Sequence, residues 1–233
     1  EHIDEVWREF YRCELNNEDA SILQPIHDSL ISRGINGEKY IREEFDWIRS
    51  AGGNQINYLN LERTGRYHPL DTRQRTILQT ALYYWEKKMR AVGITDYLGL
   101  SSALFKHIKK VTPQYRCIIV DEIQDFGTNE LRLIRKLVSK NHNDLFLCGD
   151  AAQQVLTKHC VFKHADIKIG SRSHKINKNY RNSREILKAA NFVFNNHSPK
   201  DISSNDFEIL DPEFANFSAS APLLLSAKNL EHE

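Results

Sequence analysis

The chain has 233 residues, of which 40% are hydrophobic and 27% are charged, proportions that indicate a folded globular protein and exclude bulk disorder. No apolar run is long enough to cross a bilayer, and the acidic first residues do not resemble a signal peptide. The four cysteines form no Cys-x-x-Cys pair, so we expect neither a disulfide scaffold nor a structural zinc site, and we expect a reducing compartment, the cytoplasm or the nucleoid.

The first 112 residues are predicted to be mainly helical, and the clearest helix covers Asp71–Val92. Its apolar residues recur at three- and four-residue spacing, which places them on one face of a helix. Asp71 suits the N-cap position, and Gly93 suits the position at which a helix stops. Shorter helices are expected at Ile3–Cys13, Ser21–Ser32, Glu38–Ser50 and Leu100–Val111, with a break at Gly52-Gly53-Asn54.

From Tyr115 onward, short apolar runs and helical patterns follow one another in an order typical of an α/β fold. Tyr115–Asp121 and Asp144–Asp150 are short apolar runs typical of strands buried on both faces, so their residues Cys117 and Cys148 are expected in the core. A helix over Thr128–Lys140, capped by Thr128, separates the two runs, and this order predicts a parallel sheet. Further predictions are strands at Ser173–Asn177 and Pro222–Ser226, a helix at Asn182–Asn196 and a loop-rich segment at Asp201–Ala221.

Acidic side chains follow the first predicted strand. Asp121 and Glu122 come directly after it, and Asp125 stands three residues further on. Ligands of open α/β sheets bind at the carboxyl ends of parallel strands. One carboxylate there can hold Mg²⁺, and a second, kept off the metal, can orient or deprotonate an attacking water. The alternative is a strand-end turn with solvated acids.

Polar residues also follow the second predicted strand. If the strands are neighbours, Asp150 and Gln153 lie beside the first acidic pair, where a neutral amide can detect a metal-bound phosphate. Further along, Arg181 opens a helix and can clamp a phosphate oxygen, while Tyr180 offers a flat face to a base. The alternatives are an ordinary turn capped by Asp150 and a basic helix start on the surface. Residues 151–200 carry 10 lysines and arginines against 2 acids, which indicates contact with phosphates or a solvated basic face.

The order and spacing of these segments resemble a known family. VDEIQD at 120–125, LCGDAAQQV at 147–155 and NYRNSREIL at 179–187 resemble motifs II, III and IV of the UvrD/Rep-like superfamily 1 DNA helicases. Arg63-Thr64-Gly65-Arg66 is similar to the R-x-G-R region of the helical 1B insertion in that family. The resemblance covers about residues 55–190. This branch fits the sequence better than the RNA helicases of nonsense-mediated decay do, because motif II reads DEIQD and Gln153 is followed by Gln-Val-Leu.

The resemblance implies a fold and a division of the chain. The expected class is α/β, a partial RecA-like (P-loop NTPase) parallel sheet with an inserted helical subdomain. Residues 1–112 would be a mainly helical 1B-like subdomain, residues 113–180 the 1A core with motifs II and III, and residues 181–233 the motif IV helix and the beginning of a 2A-like region. The complete protein would hydrolyse ATP to move 3′→5′ on single-stranded DNA and unwind duplex DNA.

The resemblance also implies a role for each site residue. Asp121 would bind the Mg²⁺ of Mg-ATP, and Glu122 would activate the hydrolytic water. Gln153 would sense the γ-phosphate, and Arg181 would steady charge on the transferring phosphoryl group. Tyr180 would pack near the adenine. Gln124 and Asp125 would support the site through hydrogen bonds to neighbouring strands.

Two departures from the family pattern matter. The chain contains no Walker A motif, G-x-x-x-x-G-K-[ST], and no motif V or VI. We therefore expect an internal fragment, inactive alone, whose partners are single-stranded and duplex DNA and the remaining helicase domains: the Walker A part of 1A, 2A and 2B. In addition, Leu156 stands where the family has an aromatic residue that stacks on single-stranded DNA, and Phe162 is a candidate substitute.

Other interpretations remain open at this point. Arg63 and Arg66 would contact DNA phosphates or, alternatively, pair with acids of the N-terminal helices. His159, Cys160 and His164 suggest zinc, but no second cysteine pair supports it. The rival functions are a degenerate module that binds nucleic acid or a protein without catalysis, which the missing Walker A motif favours, and a Mg²⁺-dependent nuclease built on the acids, which leaves the NYR segment unexplained.

Overall fold

The computed structural model describes residues 2–16, 22–52, 57–63, 65–66, 68–150, 153–197 and 211–223. By its internal contacts the chain divides into two compact units, Glu1–Ile169 and Gly170–Glu233, which are described separately. The predicted division at residues 112 and 180 stays a prediction. Parts of some predicted elements lie outside the described residues: Ser21, Gly53, Asn54, residues 201–210 and residues 224–226.

Among the described residues of its first part, the first unit has five α-helices, and the sequence predicted all five. The longest, α4, has a capping box in which the Asp71 side chain accepts from the Gln74 backbone while the Gln74 side chain accepts from the Asp71 backbone. It ends at Gly93, whose φ of 76° is left-handed and favours glycine. The helices are α1 (His2–Asn16), α2 (Gln24–Ile31), α3 (Gly37–Ala51), α4 (Thr72–Val92) and α5 (Tyr97–Lys106).

The helices of this region share one aromatic core. Trp7 of α1 lies at its centre, with its ring centroid 5.8 Å from that of Phe45 and 5.2 Å from that of Trp85, both at right angles. Edge-to-face contacts of this kind add to the free energy of burial. The core therefore joins α1, α3 and α4 into one helical body.

A parallel pair of strands follows, as the sequence predicted. β1 (Ile118–Val120) pairs with β2 (Leu145–Leu147) in the register Ile118–Leu145, and α6 (Thr128–Leu137) connects them. The prediction that both faces are buried is wrong, because Ile119 is 72% exposed and its partner Phe146 is 61% exposed. Cys117 is exposed and is not a core residue. One sheet face packs on α6 and its neighbours, while the other face stays open.

The start of α6 differs from the prediction in its cap. Gly127, not Thr128, is the N-cap residue, and its N–H donates to the Glu130 side chain at 2.7 Å. The Thr128 hydroxyl is instead bonded to His159, at 3.0 Å from Nδ1 and 3.1 Å from the carbonyl oxygen. A contact distant in sequence has therefore replaced the local cap.

The second unit contains α7 (Arg184–His197), close to its predicted position. Residues 173–177 form no strand, and neither do Pro222 and Leu223, the described part of the last predicted strand. Among the described residues of this unit, a parallel bridge joins Asn179 and Ala215. Across the described residues of both units, no helix combines the length and the apolarity that a membrane span requires.

Candidate functional site

The ends of β1 and β2 are joined by backbone hydrogen bonds. The Cys148 N–H donates to the Val120 carbonyl at 2.9 Å, and the Ile123 N–H donates to the Cys148 carbonyl at 2.9 Å. The chain then makes a short 3₁₀ turn at Ile123–Asp125. Because the two strands run in parallel and stop together, the polar residues that follow each strand lie at one edge of the sheet, as the sequence predicted.

Gln124 connects the two strand ends through its side chain. Its Oε1 accepts from the Asp150 N–H at 3.0 Å, and its Nε2 donates to the Glu122 Oε2 at 2.7 Å. The predicted cross-strand support by Gln124 is therefore confirmed. No hydrogen bond from the Asp125 carboxylate to a neighbouring strand is found in the described part of the chain. The Glu122 carboxylate is oriented by an amide that is itself bonded to Asp150, three residues beyond β2.

Asp121 and Glu122 lie exposed at this edge. The Glu122 N–H donates to the Asp121 Oδ1 at 2.9 Å. Glu122 has φ 52° and ψ 45°, a left-handed conformation that is uncommon for residues other than glycine. Such a conformation persists only where the surrounding contacts fix it. Here the Gln124 side chain and the following turn supply those contacts.

Gln153 reaches the same edge from the second strand. Its N–H donates to the Asp150 carbonyl at 3.0 Å, and its Nε2 donates to the Asp150 Oδ2 at 3.0 Å. Hydrogen bonds thus connect Glu122, by way of Gln124 and Asp150, with Gln153, and Asp121 directly precedes Glu122. The residues predicted to lie at this edge are therefore linked within the first unit.

Gly149 is a site residue to which the sequence interpretation gave no role. A Cβ at this position would lie 2.5 Å from the Gln124 Oε1 and 2.7 Å from the Ile123 Cγ2. Any side chain here would therefore displace the Gln124 bridge. The available signal was a glycine placed directly at a strand end, where backbone commonly approaches closely.

The donor set suits a hard cation that keeps most of its own water. Among the described residues, no group of three or more histidine, cysteine or carboxylate side chains is arranged to hold a metal. Mg²⁺ is usually held by one or two carboxylates together with waters and substrate phosphates. The exposed Asp121 carboxylate fits that mode of binding. The described residues do not form the closed set of protein ligands that would enclose a cation completely.

Arg63 and Arg66 are buried in ion pairs. Arg63 donates to Glu44 from Nε at 2.8 Å and from Nη2 at 2.9 Å, and Arg66 donates to Glu44 from Nε at 2.7 Å. Both arginine side chains are 5% exposed, and that of Glu44 is fully buried. The structure therefore shows the second of the two alternatives that the sequence left open, in which both arginines pair with an acid of an N-terminal helix. DNA contact by these arginines stays a prediction and would require the ion pairs to open.

The segment after Gln153 returns to the helical region. His159 is buried, its N–H donates to the Ser50 hydroxyl at 2.8 Å, and its ring packs edge-on against Trp47 at 4.9 Å. The described residues around His159, Cys160 and His164 form no metal site. Phe162 packs against the core beneath the sheet and is only partly exposed, so stacking of Phe162 on DNA stays a prediction.

Tyr180 and Arg181 belong to the second unit. The Asn179 side chain accepts from the Arg181 N–H at 2.9 Å and from the Asn182 N–H at 2.8 Å, which fixes the turn that presents both residues. The turn is also tied to the returning chain, because the Asn216 N–H donates to the Asn179 carbonyl at 2.9 Å. Tyr180 is 65% exposed and Arg181 is exposed, as a ligand-facing role requires.

The sequence is similar to a known helicase family and to several of its members. The profile of the UvrD/REP helicase N-terminal domain matches residues 34–177. The RecB component of the RecBCD enzyme of Buchnera aphidicola is 29% identical over 157 residues, which cover 62% of this chain and 12% of that protein. An ATP-dependent helicase/nuclease component of Listeria monocytogenes is 24% identical over 220 residues, which cover 81% of this chain and 17% of that protein.

A third relative is the ATP-dependent DNA helicase UvrD1 of Mycobacterium tuberculosis. It is 28% identical over 131 residues, which cover 47% of this chain and 16% of that protein. The chain therefore spans less than a fifth of the length of these curated relatives.

Proposed function

The chain belongs to the UvrD/REP helicase family, and on that premise we propose that it is part of an ATP-dependent DNA helicase. The observation that carries the proposal is the chain of hydrogen bonds at one sheet edge that runs from Glu122 through Gln124 and Asp150 to Gln153. The carboxyl edge of a parallel sheet is where nucleotides bind in folds of this class.

Asp121 and Glu122 are proposed to have different roles in ATP hydrolysis. Asp121 would hold Mg²⁺, which when bound neutralises charge on the β- and γ-phosphates. Glu122 would accept a proton from the attacking water, and its bond from Gln124 keeps the carboxylate in one orientation. The exposure of both residues leaves room for phosphate and water.

Gln153 and Arg181 are proposed to respond to the γ-phosphate. The Gln153 amide now donates to Asp150, and a phosphate oxygen that accepts the same donor would compete for it. Gln153 would in this way report whether ATP or ADP is bound. Arg181 would stabilise charge on the transferring phosphoryl group, and Tyr180 would pack near the base.

We further propose that the chain is an internal part of its parent protein. The Walker A loop, motifs V and VI and the remaining 1A, 2A and 2B domains would be supplied by the rest of that protein. The open sheet face at Ile119 and Phe146 supports a covering layer supplied by the rest of that protein. The complete protein would translocate 3′→5′ on single-stranded DNA and unwind duplex DNA, and the 233-residue chain alone would hydrolyse little or no ATP.

The test compares ATP hydrolysis by the complete protein and its Glu122→Gln variant. We expect at least about a hundredfold loss of DNA-stimulated turnover with ATP binding retained, because only the proton acceptor is removed. Asp166→Asn is the matched control, since Asp166 is an exposed carboxylate paired with Lys140. Unwinding of substrates with a 3′ or a 5′ single-stranded tail tests the direction.

Two results would contradict the proposal. One is full turnover by the Glu122→Gln variant, and the other is robust hydrolysis by the purified 233-residue chain. A degenerate, non-catalytic module is the second candidate, because no Walker A motif occurs in the sequence. That candidate predicts DNA binding by the complete protein with no ATP turnover.

A further inference from the structure

The outward side of α4 carries positive charge and no carboxylate. At 100° per residue, seven side chains besides those of Thr72 and Ala91 fall within an arc of about 120°, on the side opposite the buried Leu78, Trp85 and Met89. All seven are exposed. We call this the α4 outer face, and it consists of Arg73, Thr76, Thr80, Tyr83, Tyr84, Lys87 and Arg90.

The other long charged side chains of α4 are already engaged. Arg75 donates to the carbonyl groups of residues 58, 59 and 61 at 3.0–3.3 Å. Lys88 pairs with Glu9 at 2.9 Å, and Glu86 lies 4.0 Å from the buried Arg49. Each of these charges therefore serves the fold.

The three cations of the α4 outer face are different. Among the described residues, Arg73, Lys87 and Arg90 form no ion pair and no side-chain hydrogen bond. The neighbouring α1 shows what an ordinary solvated face looks like, since Glu5 and Glu9 alternate there with Arg8 and Arg12. A face with one sign of charge and free donors is complementary to a polyanion.

Tyrosine hydroxyls on the same face add donors for phosphate oxygens, whereas the Thr76 and Thr80 hydroxyls already donate to backbone carbonyls of α4 at 2.8 and 3.0 Å. Tyr83 is 50% exposed and Tyr84 is 39% exposed, so both rings stand at the surface. Their centroids are 5.8 Å apart at 60°, with the edge of one ring toward the other. The rings therefore pack on each other and do not form parallel platforms for stacked bases.

We propose that the α4 outer face binds the sugar–phosphate backbone of duplex DNA without reading its sequence. The face is a convex ridge about 26 Å long from Arg73 to Arg90, on a rigid helix. Proteins that grip single strands instead use a groove lined with stacking aromatic residues. The inference rests on the proposed function and extends it by naming a duplex-binding surface.

The test measures binding of the 233-residue chain to a labelled duplex of about 20 base pairs, without nucleotide, over a range of salt concentrations. The Lys87→Gln/Arg90→Gln variant is compared with Arg8→Gln/Arg12→Gln, which removes the same charge from α1. Each phosphate contact contributes about 0.9 to the slope of log affinity against log salt. We expect the α4 double variant to lower that slope by about 2 and the α1 variant to leave it unchanged.

Equal losses in the two variants, or no loss in the α4 variant, would overturn the inference. So would a wild-type chain that does not bind duplex, or an α4 variant whose single-strand binding weakens as much as its duplex binding. Thermal unfolding checks that both variants remain folded, which exposed glutamines on a helix permit. Because the assay contains no ATP, failure of the hydrolysis experiment leaves this result interpretable, and the reverse also holds.

Discussion

Glu44 is a single buried carboxylate that holds two arginines and a tyrosine. The Tyr58 hydroxyl donates to the Glu44 Oε1 at 2.5 Å, beside the bonds from Arg63 and Arg66. Burial alone would raise the pKa of Glu44, but the two guanidinium groups outweigh it and hold the pKa below its ordinary value. Glu44 is therefore charged at neutral pH and ties Tyr58, Arg63 and Arg66 to α3.

Replacing Glu44 with glutamine should destabilise the chain strongly. The change keeps the shape but leaves two buried guanidinium groups without their main counter-charge, a loss of about 3–5 kcal/mol. Glu43→Gln is the matched control, because Glu43 pairs with Arg66 at 3.0 Å from a side chain that is 34% exposed. That change should cost no more than about 1 kcal/mol. Urea unfolding measures both, and similar losses would contradict the assignment of Glu44 as the centre of the cluster.

At the scale of elements, a buried polar junction joins α3, α6 and the segment that follows Gln153. Thr128 stands at its centre. Its N–H donates to the His159 carbonyl at 2.8 Å, and its hydroxyl accepts from the Val161 N–H at 2.9 Å. Ser50 of α3 accepts from the His159 N–H. The helical region and the sheet region of the first unit are thus connected through hydrogen bonds as well as apolar contacts.

The junction should make stability depend on pH. Burial first, and the positive charges of His164 and Arg132 in addition, lower the pKa of His159 from 6.5 to about 4. Below pH 6.5, His159 becomes protonated in the unfolded chain, whereas in the folded chain it stays neutral down to about pH 4. Stability is therefore lost progressively across that window, by up to about 3 kcal/mol, and is fully present above it.

Urea unfolding between about pH 7.5 and about pH 4.5 measures this effect. The His159→Asn variant should be less stable at the upper pH but should lose less stability on acidification than the wild-type chain. Other titrating groups are common to both proteins, so the difference between the two pH profiles reports His159 alone. Parallel profiles for the two proteins would contradict the lowered pKa, because they would show that His159 has the same pKa in the folded and the unfolded chain.

Sequence signals predicted an element well where the residues that determine it all lie within that element. α4 has its predicted bounds because the apolar spacing, the Asp71 cap and the Gly93 stop all act within one helix. The open sheet face was not predictable, because an apolar run does not reveal which neighbour covers each side. The cap of α6 was predicted wrongly because His159, 31 residues away, takes the Thr128 hydroxyl.

At the scale of the whole molecule, the site was easier to predict than the contacts that support it. Asp121, Glu122 and Gln153 could be placed together because parallel strands bring their ends to one edge. The role of Gly149 and the burial of Arg63 and Arg66 depend on neighbours that only the folded chain supplies. Sequence patterns identify the candidate site residues, whereas long-range packing decides which of the charged side chains are buried in ion pairs.

The uncovered side of the strand pair has a practical consequence for handling the isolated chain. Ile119 and Phe146 present adjoining apolar surface on strands whose outer edges are unpaired within the described residues, an arrangement that invites another strand to add. We expect the purified chain to self-associate as its concentration rises, visible in sedimentation velocity. Phe146→Thr should shift the chain toward monomer, whereas Ile176→Thr, at a position 83% exposed in the second unit, should not. The tendency of the purified chain to self-associate would then depend on Ile119 and Phe146, which are distant in sequence but adjacent in the sheet.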